Sequence, residues 1–218
     1  MRARVDAALT LDAREVPPKV VERLCRMLSF PNPAFLDRLR LGLNPGGELE
    51  TVCFVEQAGG ELRLPRGAIH VLRRAAAQEG LIVACEDARV LPEATLDVPA
   101  LALRDYQSAA VDKLAKVTQG TVVIPCGGGK TRVGMGAIAK LRTPTLILVH
   151  TLDLAEQWLG ELKDKLGIEA GLIGDGEERP APVTVAVIQA LVRWERSKLE
   201  AFLGGFGLLI LDEAHHVA

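Results

Sequence analysis

The sequence predicts an α/β protein in which a parallel sheet, covered by helices on both faces, is preceded by a small α+β unit. Three observations carry this. From residue 105 onward, short apolar runs alternate with segments of helical length, the pattern of strands joined by crossover helices. Inside that stretch, TVVIPCGGGKT (121–131) runs from β-branched residues into three glycines and then into a helical segment. Before residue 98 the order is instead helix, short helix, hairpin, helix, strand.

Taken in order, PPKVVERLCRMLS (17–29) has apolar residues at Val20, Val21, Leu24, Met27 and Leu28, which is helical spacing with prolines where a helix start tolerates them. FPNPAF ends that helix, and a second short helix is expected over 34–41. TVCFVEQ (51–57) and ELRL (61–64) flank Ala58-Gly59-Gly60 and read as a β-hairpin. AIHVLRRAAAQEG follows as a helix closed by Gly80, and LIVAC (81–85) as a strand. The polar, proline-bearing segment LPEATLDVPALAL (91–103) is expected to link domains 1–98 and 99–218. Helices are then expected over 105–118, 130–141, 152–166 and 189–203. Strands are expected over 121–125, 144–149, 168–173, 183–188 and 207–211, with GDGEERPAP as a loop. Gly134 and Gly136 lie inside a helix, where each costs roughly 1 kcal/mol against alanine, so close packing against the sheet is the expected reason.

Composition bounds the function classes. The 218 residues are 49% hydrophobic and 25% charged, which suits a globular chain with a proper core. No run of 18 apolar residues occurs, so no membrane span or membrane partner is expected. The N-terminus has no apolar core of a secretion signal. Cys25, Cys53, Cys85 and Cys126 are far apart in sequence and form no CxxC pair, which argues against a zinc knuckle or disulfide framework and for a reducing, cytoplasmic setting. Net charge is −2, and both halves carry 13 basic and 14 acidic residues. Charge therefore offers no independent support for nucleic-acid binding. The arginines at 63, 66, 73, 74 and 89 would suit a basic face that contacts phosphate, but they are interleaved with acids, as on an ordinary solvated surface.

The chemistry lies in two stretches. A strand, a glycine-rich turn (Gly127, Gly128, Gly129) and a helix opening with Lys130-Thr131 make a phosphate-binding loop. Glycines let backbone N–H groups converge, the helix N-terminus adds its positive dipole end, a lysine reaches the β/γ phosphates and a threonine hydroxyl can hold Mg²⁺. The strict pattern starts with glycine, where this chain has Ile124. The second stretch is LLILDEAHH (208–216), a strand ending in two acids. Asp212 would hold Mg²⁺ and Glu213 would orient or deprotonate the attacking water. Acids at a helix start are also what a helix dipole alone favours; their pairing with a Gly-Lys-Thr loop is what makes them a site. His215 and His216 lack further ligands for a metal.

These motifs in this order resemble the first motor domain of a superfamily 2 DEAD/DEAH-box helicase, and the Pro-Cys-Gly form of the loop is closest to the XPB-like branch. The resemblance covers about residues 100–218 and implies a RecA-like phosphate-loop domain that binds ATP and Mg²⁺. LRDYQSAAVDKL (103–114) resembles the Q motif. Gln107 would then read the adenine edge, with Tyr106 or Arg104 framing the base. IPCGGGKT resembles motif I, which implies nucleotide contacts at Cys126, Gly127, Gly128, Gly129, Lys130, Thr131 and Arg132. LILVHTLDLAEQW (146–158) resembles motif Ia and VAVIQAL (185–191) a later DNA-contacting motif, which places nucleic-acid contacts at Thr151 and Gln189. LDEAHH resembles motif II, with His215 coupling nucleotide state to a second motor domain. The first 98 residues resemble, more loosely, the accessory region before the core of XPB-like enzymes, which contributes to DNA recognition.

The 218 residues contain no motif III strand and no second motor domain with its arginine finger. The expectation is therefore an N-terminal portion of an ATP-dependent DNA helicase or translocase. It would bind DNA in preference to RNA, leave one side of its sheet poorly covered, and depend on the rest of the helicase for hydrolysis. The alternatives are a non-catalytic nucleotide- or DNA-binding module and a phosphate-loop NTPase outside the helicases. Trp158 and Trp194 lie on helices from which an indole can stack on a base, but read as packing residues; His150 reads as structural; Cys126 has the helix N-terminus that would make a thiol reactive, but reads as a small residue that fits the loop.

Overall fold

The first sheet begins in a stretch where the sequence suggested no element: β1 (Arg2–Val5) and β2 (Ala8–Asp12) pair antiparallel across a short turn. The computed structural model describes residues 1–44, 46–93, 95–117 and 119–214. It divides into two units, Met1–Val90 and Leu91–Ala218.

In the first unit the remaining strands are β3 (Ser29–Pro31), β4 (Thr51–Cys53), β5 (Glu56–Ala58), β6 (Glu61–Pro65) and β7 (Ala84–Asp87). The main sheet runs β5-β6-β2-β1-β7, antiparallel except for the β1–β7 pair. Its period-2 alternation is clean: Leu62 and Leu64 of β6 are buried while Glu61, Arg63 and Pro65 face out. Helices α1 (Pro18–Met27) and α3 (Ile69–Ala77) cover one face, and Val20, Leu24, Leu72, Ala75 and Ala76 join Leu9, Leu11, Leu62 and Leu64 in one core. Helix α2 (Pro33–Arg40) follows the FPNP break, with Asn32 accepting the Ala34 N–H at its N-cap.

Two expectations for this unit are corrected. The first arm of the hairpin is two strands rather than one. Thr51–Cys53 pairs with Ser29–Pro31, and only Glu56–Ala58 pairs with β6. The strand expected at 81–85 begins at Ala84, because Leu81 N–H bonds back to Ala76 O and Gly80 (φ +70°) closes the helix end, holding these residues off the ladder.

The second unit contains α4 (Asp105–Leu114), α5 (Lys130–Leu141), β8 (Thr145–Val149), α6 (Leu152–Leu166), β9 (Gly171–Gly174), β10 (Glu177–Arg179), β11 (Val183–Val187), α7 (Ile188–Leu191), α8 (Arg196–Leu203) and β12 (Leu208–Leu211). The sheet order is β10-β9-β11-β8-β12, parallel except for the β9–β10 hairpin. Ile147, Val149, Val183, Val185 and Val187 face α5 and α6, while Leu146, Ile173 and Ala186 face Leu191 of α7 and the Trp194–Phe206 segment. Burial of β8 and β11 on both faces explains why these two strands read as continuous apolar runs.

The corrections here also have physical causes. Residues 121–125 are not a strand among the described elements. Their β-branched side chains favour an extended chain, but a strand requires a ladder partner, and Val123 is 91% exposed. The GDGEERPAP loop is partly β10, paired with β9. The helix expected over 189–203 is two, α7 and α8. The proline-bearing segment after residue 90 belongs with the second unit: Leu96 N–H donates to Arg142 O, and Arg142 donates to Val98 O. Gly134 and Gly136 do mark close packing, but against side chains of α6, of α4 and of Leu103, more than against the sheet. Leu209 and Leu211 of the edge strand β12 are exposed. Among the described residues no helix is long and apolar enough to cross a membrane.

Gly171 sits where β9 passes the turn into β11. A Cβ there would collide with Arg179 O and lie 2.7 Å from the Ala181 nitrogen, both backbone atoms with little room to yield. Gly171→Ala should destabilise the second unit by about 1–3 kcal/mol, the usual cost of overpacking, read as a lower urea midpoint with the slope unchanged.

Candidate functional site

Three parallel strands deliver the candidate residues to one end of the sheet. β11, β8 and β12 are neighbours in register, with Val187 opposite Val149 and Leu211 opposite Leu148. Gln189 follows β11, Thr151 follows β8, and Asp212-Glu213 follow β12. The Asp212 N–H donates to Leu148 O at 3.0 Å, which holds the acid pair against the end of β8. Such C-terminal strand ends are where open α/β sheets bind ligands.

The glycine loop enters α5 through residues only glycine accommodates well. Gly127 (φ +75°) and Gly129 (φ +77°) are left-handed, and Gly129 is the N-cap of α5. The Gly128 N–H is engaged inside the loop, donating to Pro125 O at 3.0 Å. The first intrahelical bond at this end runs from Val133 N–H to Gly129 O, so the N–H groups of Lys130, Thr131 and Arg132 form the open helix end. Cys126 is exposed at the turn.

Helix α4 clamps this loop. The Gly128 carbonyl accepts from Tyr106 Oη at 2.7 Å and from Gln107 Nε2 at 3.2 Å. Gln107 Oε1 accepts the Arg104 N–H at 3.0 Å, which caps α4. Gln107 is buried (3% exposed), with both ends of its amide used inside the protein, whereas Tyr106 is 46% exposed. Beside them an open cleft of about 510 Å³ is lined by Tyr106, Val123, Ile124, Pro125, Cys126, Gly127 and Gly128.

The two halves of the site meet. Lys130 of α5 forms an ion pair with Glu213, 83 positions later. The Glu213 hydrogen bond is the main cause that holds the Lys130 ammonium above its ordinary value, with the charges of Glu213, Cys126 and Asp212 adding to it and desolvation opposing it. Glu213 has a left-handed backbone (φ +49°), an uncommon state for a residue with a Cβ. Its N–H donates to Asp212 Oδ1 at 3.0 Å. The other oxygen, Asp212 Oδ2, accepts from the Trp158 indole N–H at 2.8 Å. The sequence reading of Trp158 is packing, with base stacking as its alternative. The usable signal was its place in the buried stripe Ala155-Trp158-Leu162-Leu166 of α6, because a buried indole N–H requires an acceptor.

The other residues are more separate. Thr151 is the N-cap of α6, its hydroxyl accepting the Leu154 N–H at 3.3 Å. Gln189 is exposed on α7. Trp194 packs edge-on against Phe202, with Lys198 over its ring. His215 and His216 lie outside the described residues.

Known proteins align with the stretch that carries this geometry. The family model described as type III restriction enzyme, res subunit, matches residues 100–218. The chain is 36% identical over 115 residues to the DNA 3'-5' translocase XPB2 of Sulfurisphaera tokodaii, covering 53% of this chain and 25% of that protein. It is 41% identical over 120 residues to the DNA 3'-5' helicase XPB of Mycobacterium tuberculosis, covering 52% and 22%. With the protein of the same name from Kineococcus radiotolerans it shares 40% over 121 residues, again covering 52% and 22%. The chain thus spans a quarter or less of the length of these relatives.

Removing the Glu213 charge should release Lys130. In Glu213→Gln the ammonium loses the partner that raises its pKa, so its titration midpoint should fall toward the ordinary 10.5. The ¹³Cε shift of labelled lysine against pH reads this directly, and an unmoved midpoint would mean that the pair does not persist in solution.

Proposed function

Because the chain belongs to the family of the type III restriction enzyme res subunit, we propose that it carries the Mg-ATP half-site of an ATP-dependent, XPB-like DNA helicase or translocase. The observation that carries the reading is the meeting of the glycine-loop lysine with the acid pair after β12. A phosphate cradle and a carboxylate pair from distant sequence positions on one end of a parallel sheet are the two parts such a site needs.

The residues present suit Mg²⁺ and triphosphate. The Asp212 carboxylate and Thr131 hydroxyl are hard oxygen donors, and the left-handed glycines leave the loop mouth without side chains. Bound Mg²⁺ would neutralise charge on the phosphate oxygens. Lys130 would exchange Glu213 for phosphate, and Glu213, relieved of the lysine, would orient the attacking water and take its proton. The cleft beside Tyr106 is of a size for a nucleobase. Gln107 would act first by holding the loop through Gly128, and would reach an adenine edge only by giving up one of its present bonds. DNA would run past Thr151 and Gln189, with residues 1–90 as an accessory domain that aids DNA recognition. Hydrolysis at full rate would require an arginine from a second motor domain, an element worth about 10³–10⁵ in rate. A non-catalytic binding module uses the same groups, and turnover separates the two readings.

Calorimetry with Mg-ATP should show binding by the wild-type chain and its loss in Lys130→Ala. Turnover by the 218-residue chain should be slow. Supplying the second motor domain in trans or in one polypeptide should raise it and make it dependent on DNA. ATP binding indifferent to Lys130 would overturn the reading, and DNA-independent turnover by the two-domain protein would favour an NTPase outside the helicases.

A further inference from the structure

We infer that Trp158 is a positioning residue for the Mg²⁺-binding carboxylate of Asp212, and that Gly134 is the clearance that lets it act. The inference rests on the Mg-ATP reading above and adds a residue outside the glycine loop and the acid pair.

Both oxygens of Asp212 are held. Oδ1 accepts the Glu213 N–H at 3.0 Å and Oδ2 accepts the Trp158 indole N–H at 2.8 Å. Two donors fix the plane of the carboxylate, so its remaining lone pairs point in a set direction rather than sampling the rotamers of a free aspartate. The bond from Trp158 is charge-assisted, hence stronger than one between neutral groups. The indole is only 2% exposed, so little water competes for its N–H.

The indole reaches Asp212 by crossing α5, the helix that begins with Lys130. It passes over Gly134, where an added Cβ would lie 2.7 Å from Trp158 Cη2 and 3.6 Å from Ile210 Cδ1. Helical glycine costs roughly 1 kcal/mol against alanine, and Gly134 meets a side chain that reaches a site carboxylate. A tryptophan serving only as filler could turn its N–H to any acceptor, whereas this one is aimed at one of the two acids of the site.

The test is a Mg²⁺ titration of ATP binding by the whole chain, followed with a fluorescent ATP analogue, alongside the same measurement in EDTA. Trp158→Phe keeps most of the packing and removes the N–H. It should raise the Mg²⁺ midpoint about tenfold or more, the usual effect of losing a group that orients a metal's ligand, while metal-free nucleotide affinity stays unchanged. Gly134→Ala, which pushes the indole instead of cutting it, should move the same midpoint, and the double variant should be no worse than Trp158→Phe alone. Gly134→Ala also carries the test should Trp158→Phe fold poorly. An unchanged midpoint in both variants overturns the inference, as does an equal loss with and without Mg²⁺, which would make Trp158 a packing residue only. Failure of the wild type to bind the analogue in either condition overturns the Mg-ATP reading itself.

Discussion

The acid pair after β12 sits at the meeting of three elements, and its surroundings constrain most of the second unit. Asp212 is fixed by the backbone of β8, by its neighbour's N–H and by the indole from α6, while Glu213 reaches the first residue of α5. These contacts require α5 and α6 to lie close on one face of the sheet, which Gly134 permits. They also require β12 to run parallel to β8 in register, so that the acids emerge where β8 ends. A shift of one residue in that register would turn every side chain of β12 to the opposite face and carry the acids away from the loop.

The loop itself is held from the other side. Gly128 offers its carbonyl to Tyr106 and Gln107, and Gly136, inside the following helix α5, makes room for Leu103 and Val111. Helix α4 is thus packed against α5 at two levels, one polar and one apolar. The polar level spends the amide of Gln107 on positioning the loop. In the present state Lys130 is likewise occupied by Glu213. The site therefore has its groups assembled but engaged with one another.

The first unit follows a different logic. Its sheet is mostly antiparallel, one face is covered by α1 and α3, and the other presents charged residues in alternation. Among the described residues of this unit only the β1–β7 pairing is parallel, joining the start of the unit to its end. The relatives align with about half of the chain, and the family match begins at residue 100, so this unit lies outside the family match.

Much of the second unit was legible in the sequence because local rules agree with the fold there. α6 occupies the expected 152–166 with a threonine cap and a closing glycine, and β8, β11 and β12 fall on their apolar runs within a residue. The glycine loop and the acid pair were legible as a glycine-rich turn before a lysine and as paired carboxylates after an apolar run, and the structure brings the two together. Residues 121–125 show the limit: β-branched composition specifies an extended backbone, but pairing depends on what lies alongside. β1 and β2 were missed for the converse reason, since their short runs gain strand character only from neighbours far along the chain, β6 and β7. Sequence alone determined which functional groups the glycine loop and the acid pair carry, since these reside in the residue types themselves. Tertiary structure alone decided that Gln107 turns inward to the loop, that Lys130 meets Glu213 and that Trp158 reaches Asp212. Each of these is a hydrogen bond or ion pair made by burial and helix packing across tens of residues, where no local pattern records the partner.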